Sequence, residues 1–434
     1  MTGGRKIRVL YSTHMAPPYI DPAPWSEDQI VCGPNWVDGP RSIRTTEDVF
    51  DLADVLARLP AGWKPDLFVA AIDSFGKCQP ANLGVLSCPK VVLVIDTHHG
   101  DRPIDAMLRY LDRERWDLMV SCCARQHCHW FMEARSTPIL YAGPSLLARP
   151  YAGPLFSERV HGISFMGNAG TAHLRRRRLV DRMIAMGLPV YAGSPPQDYA
   201  LGVFAKSQIS FNCSLNGDTN MRNFEILSAG GFLLTDRLSP DAGLDLEEGK
   251  HAVFYGDEDE CYDLARHYLQ HPETCLKIGL AGRAEYLARH SANVKMRQVL
   301  AAALEGEIHE SLEPPEIETA PGALAMEERI GLYQVLQDEH RLHEKRRVTF
   351  VGARLAASAL DAADLPRFDV RLIAEPGEVL PPIPAGPRAS RVKLETSPPP
   401  SDIIVMAGAT APQFPRLPQE AEARVIAIDI SGKR

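Results

Sequence analysis

Short apolar runs alternate with stretches of helical periodicity along about the first 120 residues of the chain. The runs are rich in Val, Ile and Leu on both faces, which is typical of strands buried between two helix layers. The predicted strands are residues 7–11, 66–72, 91–95 and 116–121. Helical patterns lie between them, for example at residues 47–59 and 103–111. The alternation predicts a parallel sheet with helices on both sides.

A stretch rich in Pro and Gly, residues 141–154, interrupts this pattern and is typical of an interdomain linker. The same alternation then restarts and continues to about residue 305. The predicted strands are residues 161–166, 188–192, 208–212, 232–235 and 252–255. The predicted helices are residues 176–186, 221–229, 258–270, 272–289 and 291–304. The pattern therefore predicts a second α/β domain, facing the first across a cleft.

The remaining chain differs in composition. Residues 305–321 are rich in Glu and Pro, which suits an exposed connector, and a charged helix is predicted at residues 324–346. Strands are predicted at residues 348–351, 370–374, 403–407 and 424–428, with the proline-dense residues 376–400 largely as loop. The fold class is therefore α/β, with two Rossmann-like domains and a small C-terminal unit. The predicted division is 1–150, 156–305, 306–346 (linker and charged helix) and 347–434 (accessory unit).

Composition and charge narrow the function classes. The chain has 434 residues, 45% of them hydrophobic, and a formal net charge of -8, which argues against general nucleic-acid binding. No uninterrupted apolar run reaches the length of about 18 residues that a transmembrane helix needs. The nine cysteines show no framework spacing, so we expect reduced thiols in a cytoplasmic protein.

The most informative stretch runs from a predicted strand ending at Asn212, through a polar loop, into a short helix. Asp218, Asn220 and Arg222 crowd the start of that helix, where backbone N–H groups favour anions and Arg222 adds a charge-assisted contact to phosphate. Glu225 follows inside the helix, before a Gly-Gly turn. The alternative is that Glu225 is a solvated helix residue and that the two glycines simply end the helix.

A second stretch follows the strand that ends near Gly167. Gly167 and Asn168 open a loop, and Arg175 begins a run of four arginines at the start of the next helix. Such a layout can hold a pyrophosphate with backbone amides and guanidinium groups. It is neither a Gly-x-Gly-x-x-Gly fingerprint nor a P-loop. A solvated basic helix start is the alternative for any single arginine.

Polar residues follow the strand at 91–95 in the first domain. Asp96, His98 and His99 would face the cleft, and a His or Asp there can act as a base towards an acceptor hydroxyl. The alternative is one histidine capping a helix and the other in solvent. We expect three further segments to line the same cleft: His14, residues 33–36 and residues 73–75.

Cysteines and histidines also cluster at residues 122–129. Structural zinc needs four converging ligands, usually from two separated pairs, and no second pair stands out. We therefore predict buried thiols and a histidine at the edge of the cleft rather than a metal site.

In their order along the chain, the motifs of the second domain resemble the donor-binding half of the spore-maturation (CgeB-like) glycosyltransferases. These are related to the GT-B transferases with a group 1 domain. The resemblance covers residues 162–304. The motifs are Phe165-Met166-Gly167 with following arginines, the strand ending at Asn212, Arg222-Asn223-Phe224-Glu225 with its Gly-Gly turn, residues 249–255, and Arg289-His290 before a helix containing Arg297.

The resemblance implies a GT-B fold and a transfer of sugar from a nucleotide diphosphate-sugar to an acceptor hydroxyl, with the donor as substrate and no cofactor. It implies that Glu225 holds the donor ribose, while the Gly167 loop, Arg222 and Arg175 meet the diphosphate. Arg side chains and helix N-termini can neutralise a leaving diphosphate, so a metal-independent mechanism is expected. The acceptor, whether glycan, protein or small molecule, is not indicated.

The sequence departs from the Glu-x7-Glu pattern of retaining members, because Gly217 stands at the first glutamate and Asp218 is adjacent. Retention and inversion therefore both stay open. The departure also motivates an alternative function, a GT-B-like binding or scaffold protein without turnover. A nicotinamide-dependent enzyme is a weaker alternative, because the dinucleotide fingerprint is missing.

Overall fold

The structure is a computed structural model. It describes residues 6–428 except residues 19, 21, 101, 123, 148, 171–172, 240, 243, 309–311, 313–322, 344, 384–387, 397–400 and 408–423. Most of the predicted connector at residues 306–321, together with Asp101 and Cys123 of the polar motifs, lies outside the described residues.

The N-terminal part of the chain forms a parallel sheet flanked by helices. Its strands are β1 (Arg8–Ser12), β2 (Asp28–Gly33), β3 (Ser42–Arg44), β4 (Val49–Asp51), β5 (Leu67–Ile72), β6 (Gln79–Ala81), β7 (Lys90–Val94), β8 (Leu118–Ser121) and β9 (Ile139–Tyr141). Its helices are α1 (Leu52–Ala57), α2 (Pro103–Leu111) and α3 (Cys128–Ala134), with 3-10 turns at Leu83–Val85, Arg125–His127 and Pro144–Leu147. Within the described ranges the sheet has seven strands in the order β3-β2-β1-β5-β7-β8-β9, and β4 pairs separately with β6.

Burial confirms the predicted two-layer covering of this sheet, since all six residues of β5 are buried. The helix predicted at residues 47–59 is partly wrong. Residues 49–51 pair with β6 instead, and the Asp51 side chain caps α1 by accepting a hydrogen bond of 2.8 Å from the backbone N–H of Ala53.

The second sheet is also parallel, and it too confirms the predicted alternation. Its strands are β10 (His161–Met166), β11 (Val190–Gly193), β12 (Ser207–Phe211), β13 (Leu233–Asp236) and β14 (Val253–Tyr255). Its helices are α4 (Leu174–Ala185), α5 (Gln197–Ala205), α6 (Met221–Ser228), α7 (Glu258–Leu269), α8 (Pro272–Glu285) and α9 (Ala292–Glu305), with a π-helical turn at Tyr286–His290. Its order in the described part is β11-β10-β12-β13-β14. The strand order reverses between β10 and β12, the position at which open α/β sheets bind ligands.

Helix α9 crosses back from the second domain to the first. Its buried residues Ala292, Met296 and Val299 share a core with strand residues of the N-terminal sheet. The sequence pattern places this helix in the second domain, because periodicity reports an apolar face and not its partner.

The C-terminal unit contains a third parallel sheet. Its helices are α10 (Met326–Leu342) and α11 (Ala356–Ala362), with 3-10 turns at Ala353–Leu355 and Ala389–Arg391, and its strands are β15 (Arg346–Val351), β16 (Phe368–Ile373), β17 (Val392–Glu395), β18 (Ile403–Ala407) and β19 (Arg424–Ile428). As far as the chain is described, the strand order is β17-β16-β15-β18-β19. Strand β17 falls in the proline-dense stretch predicted to be loop, and there it pairs along β16.

The C-terminal unit packs directly on the N-terminal domain. Ile330, Tyr333 and Leu336 of α10 belong to the same apolar core as Met107 of α2 and Trp130 of α3. The fold class predicted from the sequence is confirmed, and the accessory unit is an integral third layer. None of the helices in the described ranges is both long and apolar enough to cross a bilayer.

Candidate functional site

Gly167 directly follows β10, at the point where the strand order reverses. Its φ is +147°, and a Cβ added there would lie 1.7 Å from Nη2 of Arg222. Arg222 donates from Nε to the backbone oxygen of Met166 and from Nη1 to Oδ1 of Asn212 at 2.9 Å. Its guanidinium lies 4.6 Å from the ring centroid of Phe165. The missing side chain of Gly167 therefore makes room for a cation between the carboxyl ends of β10 and β12.

Asn220 fixes the start of α6 beside this cation. Its side chain accepts from the backbone N–H of Asn223, and the Asn223 side chain accepts from the backbone N–H of Asn220, so the two form a capping box. Asn220 Nδ2 also donates to Asn212 Oδ1 at 3.3 Å. The predicted residues Asn212, Asn220 and Arg222 are thus brought together. Asn168 is exposed and accepts from the backbone N–H of Gly170, so its side chain shapes its own loop.

Glu225 lies one turn further along α6. It is partly buried and accepts a hydrogen bond of 2.7 Å from Nε2 of Gln197 in α5. Burial raises the pKa of the Glu225 carboxyl, while Gln197 and the charge of Arg222 act in the opposite direction. Gln197 also lines a cavity of about 360 Å³ formed with residues 149–153. The Glu225 side chain is therefore fixed by Gln197 near this cavity and is not a freely solvated helix residue.

The glycines after α6 have two roles. Gly230 has a φ of +67°, which suits the turn that ends the helix. A Cβ on Gly279 of α8 would lie 2.6 Å from the Gly230 backbone oxygen, so the same turn lets α8 approach closely.

The four arginines at the start of α4 divide into an inward and an outward pair. Arg175 is buried and donates to Oδ2 of Asp236 at the end of β13, at 3.2 Å. Arg176 is buried as well and donates to the backbone oxygens of Asn168 (2.7 Å) and Cys213 (2.8 Å). The structure therefore places Arg176, and not Arg175, beside the Gly167 loop, while Arg177 and Arg178 point outward.

On the facing domain, Asp96 and His99 form a pair at the end of β7. The Nδ1 of His99 lies 2.8 Å from Oδ2 of Asp96, whose Oδ1 accepts from the backbone N–H of His98. The hydrogen bond from Asp96 raises the pKa of His99 against the effect of burial. Burial alone would raise the pKa of Asp96, but the hydrogen bond and charge of His99 outweigh it and lower that pKa. The His99 side chain is 33% exposed, so this pair is open to the cleft.

His98 has a different environment from its neighbour. It is buried, and its Nε2 lies 3.2 Å from Oδ2 of Asp218 in the second domain. Asn216 Nδ2 donates to His98 Nδ1 at 3.2 Å. Burial would raise the pKa of Asp218, but the charge and hydrogen bond of His98 and a backbone N–H of Asn216 hold it well below its usual range. The side chains of Asp96 and His98, which were predicted to line the cleft together, therefore have different environments. His98 joins the two domains through Asp218, whereas Asp96 pairs with His99, which faces the cleft.

His173 comes towards the same cleft from the second domain. Its ring centroid lies 5.5 Å from that of His99, in an edge-on arrangement. Burial and the charge of Arg176 lower the pKa of His173 to about 3, so it is neutral. Phe75 lies on the other side of His99, with centroids 6.1 Å apart, and it is exposed. Sequence patterns placed His99 at the cleft but did not distinguish it from His98, and they missed His173 as a site residue.

The other predicted cleft residues are held by local contacts. His14 Nε2 lies 3.6 Å from Asp73, Asn35 donates to the backbone oxygen of His14, and Trp36 donates to that of Thr13. In the cluster at residues 122–129, His127 bonds to Thr97 and His129 lies 3.2 Å from Asp361. Among the described residues, no three His, Cys, Asp or Glu side chains converge as a metal site would require.

Residues 175–301 match the family model described as glycosyl transferase-like. This chain carries a glycosyl transferase-like domain. The domain begins at the inward-facing arginines of α4 and includes the Arg222 loop, α6 and the crossing helix α9. The match confirms the expectation of a glycosyltransferase enzyme. The chain has two Rossmann-like domains, and the second one is glycosyl transferase-like, which is the expected GT-B arrangement.

Comparison with solved structures finds similarities at low sequence identity. No curated protein matches the sequence. A glycosyltransferase from Rickettsia africae is 10% identical, over 70% of this chain and 99% of its own, with a TM-score of 0.45. HepE of Anabaena, solved with UDP and glucose, is 11% identical over 56% and 78%, with a TM-score of 0.39. Sucrose-phosphate synthase of Thermosynechococcus elongatus is 11% identical over 57% and 74%, with a TM-score of 0.41. At these scores the likeness assigns no residue a role.

Proposed function

We propose that the chain is a glycosyltransferase of the spore-maturation type, which moves a sugar from a nucleoside diphosphate-sugar to an acceptor hydroxyl. The observation that carries the proposal is the position of Arg222. Inside the residues that match the glycosyl transferase-like family, this cation sits over Gly167 at the reversal of strand order. A cation at that edge, next to the N-terminus of α6, is a suitable place for a diphosphate.

The donor would be held at its diphosphate by the charge of Arg222 and at its ribose by the carboxylate of Glu225. Arg222 neutralises charge on the leaving diphosphate, and Asn220 caps the helix start beside it. Glu225 accepts hydrogen bonds from the two ribose hydroxyls, oriented by Gln197. The positive charge comes from the protein, so the transfer requires no metal ion and continues in the presence of a chelator.

The acceptor would be activated by the Asp96–His99 pair. Asp96 holds Nδ1 of His99 as the protonated nitrogen, which leaves the Nε2 lone pair to accept a proton. As the acceptor oxygen bonds to the anomeric carbon, its proton passes to His99 Nε2, and the bond from that carbon to the diphosphate breaks. Asp218 is buried against His98, so we assign it a positioning role between the domains.

Isothermal titration of the full chain with UDP, GDP, TDP and NAD tests the donor site. We expect one nucleoside diphosphate to bind and NAD not to bind. Arg222→Gln should weaken that binding roughly ten- to a hundredfold, the effect of losing a hydrogen bond to a charged group. Glu225→Gln should weaken binding of the matching nucleoside diphosphate but hardly affect pyrophosphate, because Glu225 contacts only the ribose.

Arg177→Gln is the matched control, because Arg177 lies on the outward face of α4 and forms an exposed ion pair with Asp181. Equal affinity in Arg222→Gln and Arg177→Gln would contradict the donor site.

One observation favours a second candidate function, binding without turnover. Gly217 occupies the position of the first glutamate of the Glu-x7-Glu pattern, and Asp218 beside it is buried. Neither supplies an open acid to a bound sugar. Hydrolysis of the donor without acceptor separates the two functions: a transferase releases free sugar slowly, whereas a scaffold protein binds the donor and leaves it intact.

A further inference from the structure

A cavity of about 520 Å³ lies between the glycosyl transferase-like domain and the C-terminal unit. One wall is formed where β13 and β14 end, by Asp236, Arg237 and Gly256. The opposite wall is formed where β15 and β16 begin. The cavity therefore lies along the same edge of the sheet as the Arg222 loop, which is at the ends of β10 and β12, and the residues that line the cavity do not include Asn212, Asn220, Arg222 or Glu225.

The residues that line this cavity are strongly basic. Three of them are carboxylates, Asp236, Asp369 and Asp402. Six are cations: Arg175, Arg237, Lys345, Arg346, Arg347 and Arg367. This concentration of positive charge occurs in a chain whose formal net charge is -8, so general composition does not explain it.

The carboxylates of the cavity are already engaged. Asp236 accepts from Ser214 Oγ at 2.8 Å as well as from Arg175. Asp402 accepts from the backbone N–H of Arg347 at 2.7 Å.

Asp369 is neutralised from outside the cavity. It lies 2.9 Å from Arg371 and 2.7 Å from Lys393, neither of which lines the cavity. Asp402 also lies 3.8 Å from Arg346, and Asp257, outside the cavity, lies 3.3 Å from Lys345. The six lining cations still outnumber the three lining carboxylates, so the lining carries net positive charge.

The cations face each other across the gap between the two units. Arg237 stands on the domain wall, and Arg346 and Arg347 stand on the wall of the C-terminal unit. Arg237 is 52% exposed and pairs with Glu248, which lies outside the lining, and Arg347 is 46% exposed. Such exposed pairs contribute little to stability. Like charges on opposite walls repel, and an anion between them removes that repulsion.

We propose that this cavity binds a phosphate ester of a small organic molecule. Its volume falls within the range of about 300–1,000 Å³ typical of small-molecule sites and exceeds what a single inorganic ion fills. Arginine is suited to phosphate because its planar group donates two parallel hydrogen bonds. Pro366 and Phe368 add an apolar part to the lining, against which the organic group packs. This site shares no lining residue with the proposed donor site.

Isothermal titration of the full chain with glucose 6-phosphate and with glycerol 3-phosphate tests the proposal, because neither ester carries a nucleoside that the proposed donor site would bind. We expect at least one of them to bind, more weakly at high salt. The double substitution Arg237→Ser and Arg347→Ser should weaken binding at least tenfold. Lys345→Ser, at a largely exposed position, should weaken it by a smaller factor and serves if the double variant unfolds.

The matched control is Arg177→Ser with Arg266→Ser, which removes the same charge from exposed positions outside the cavity. This control and Arg222→Gln should both bind the ester as the unchanged chain does. Three results would overturn the proposal: no binding of either ester, an equal loss in the surface control, or a loss that follows Arg222→Gln and leaves the double variant unaffected.

Discussion

Two adjacent histidines at the end of β7 illustrate what a sequence hides at the scale of single residues. His98 is buried against Asp218, while His99 is open to the cleft and paired with Asp96. Both follow the same buried strand, so the pattern places both of them at the correct edge of the sheet. Which of them faces the cleft depends on irregular backbone after the strand, where no periodicity applies.

The Asp96–His99 pair predicts the direction of a pH dependence. Asp96 raises the pKa of His99, so the base is protonated and inactive over a wider acidic range than a free histidine would be. Activity should therefore rise with pH through that raised pKa. Asp96→Asn removes the charge that raises it, which should move the acidic limb to lower pH and reduce the maximal rate at least tenfold. Initial rates between about pH 5 and 9 measure both effects.

His99→Gln and Asp181→Asn complete this test. The first should abolish the acidic limb together with most of the activity, and the second is the control, because it removes an exposed carboxylate that pairs with Arg177 far from the proposed base. An unchanged limb in Asp96→Asn would assign the base to another residue.

At the scale of elements, the long apolar runs were predictable, whereas some strands with few apolar residues, such as β3 and β17, were not. The runs that form β5, β7 and β10 contain enough buried apolar residues to be recognised as strands from the sequence. Strand β3 has three residues, and β17 (Val392–Glu395) is buried mainly at Val392. Such strands are stabilised by pairing with a neighbour, and that pairing is not encoded in their own composition.

Gly217 gives a prediction at the level of contact between elements. Its φ is +77°, and a Cβ there would lie 2.4 Å from Cδ of Pro366 in the C-terminal unit. Gly249 has nearly the same φ, +75°, but no heavy atom lies within 4 Å of its Cβ position. Gly249→Ala should cost about 1–2 kcal/mol for the left-handed backbone alone. Gly217→Ala should cost about 1–3 kcal/mol more, because it overpacks the contact with Pro366.

Chemical denaturation of both glycine variants measures this difference in the free energy of unfolding. Equal losses in the two variants would show that Pro366 moves aside without cost.

At the scale of the whole molecule, buried charges join the C-terminal unit to the N-terminal domain. Arg329 of α10 donates to Glu133 at 2.8 Å and to Asp361 of α11 at 2.9 Å, and Asp361 also faces His129. Burial would raise the pKa of Asp361, but the charge of Arg329 lowers it. These residues lie far apart along the chain, so no local pattern in the sequence indicates that they meet. The sequence therefore predicted a third unit but not its attachment.

Removal of one member of this buried network should be costly. Asp361→Ala leaves Arg329 and His129 without a buried carboxylate and should lower the free energy of unfolding by about 3–5 kcal/mol. Asp181→Ala removes an exposed ion pair and should change it by no more than about 1 kcal/mol. Denaturant unfolding above pH 5 compares the two. Because the folded pKa of Asp361 is lowered, its contribution is present above the unfolded value of about 3.9 and is lost as the pH falls through the folded pKa.

Arg341, near the end of α10, donates at 2.8 Å to the backbone oxygen of His98 and at 3.2 Å to the Asn216 side chain. One guanidinium from the C-terminal unit thus contacts both Rossmann-like domains. The two domains cannot move apart at this point without loss of one of these bonds, so any separation of the domains would be coupled to the position of the C-terminal unit. A molecule that weakens or strengthens the attachment of the C-terminal unit would then lower or raise the turnover rate without binding in the cleft.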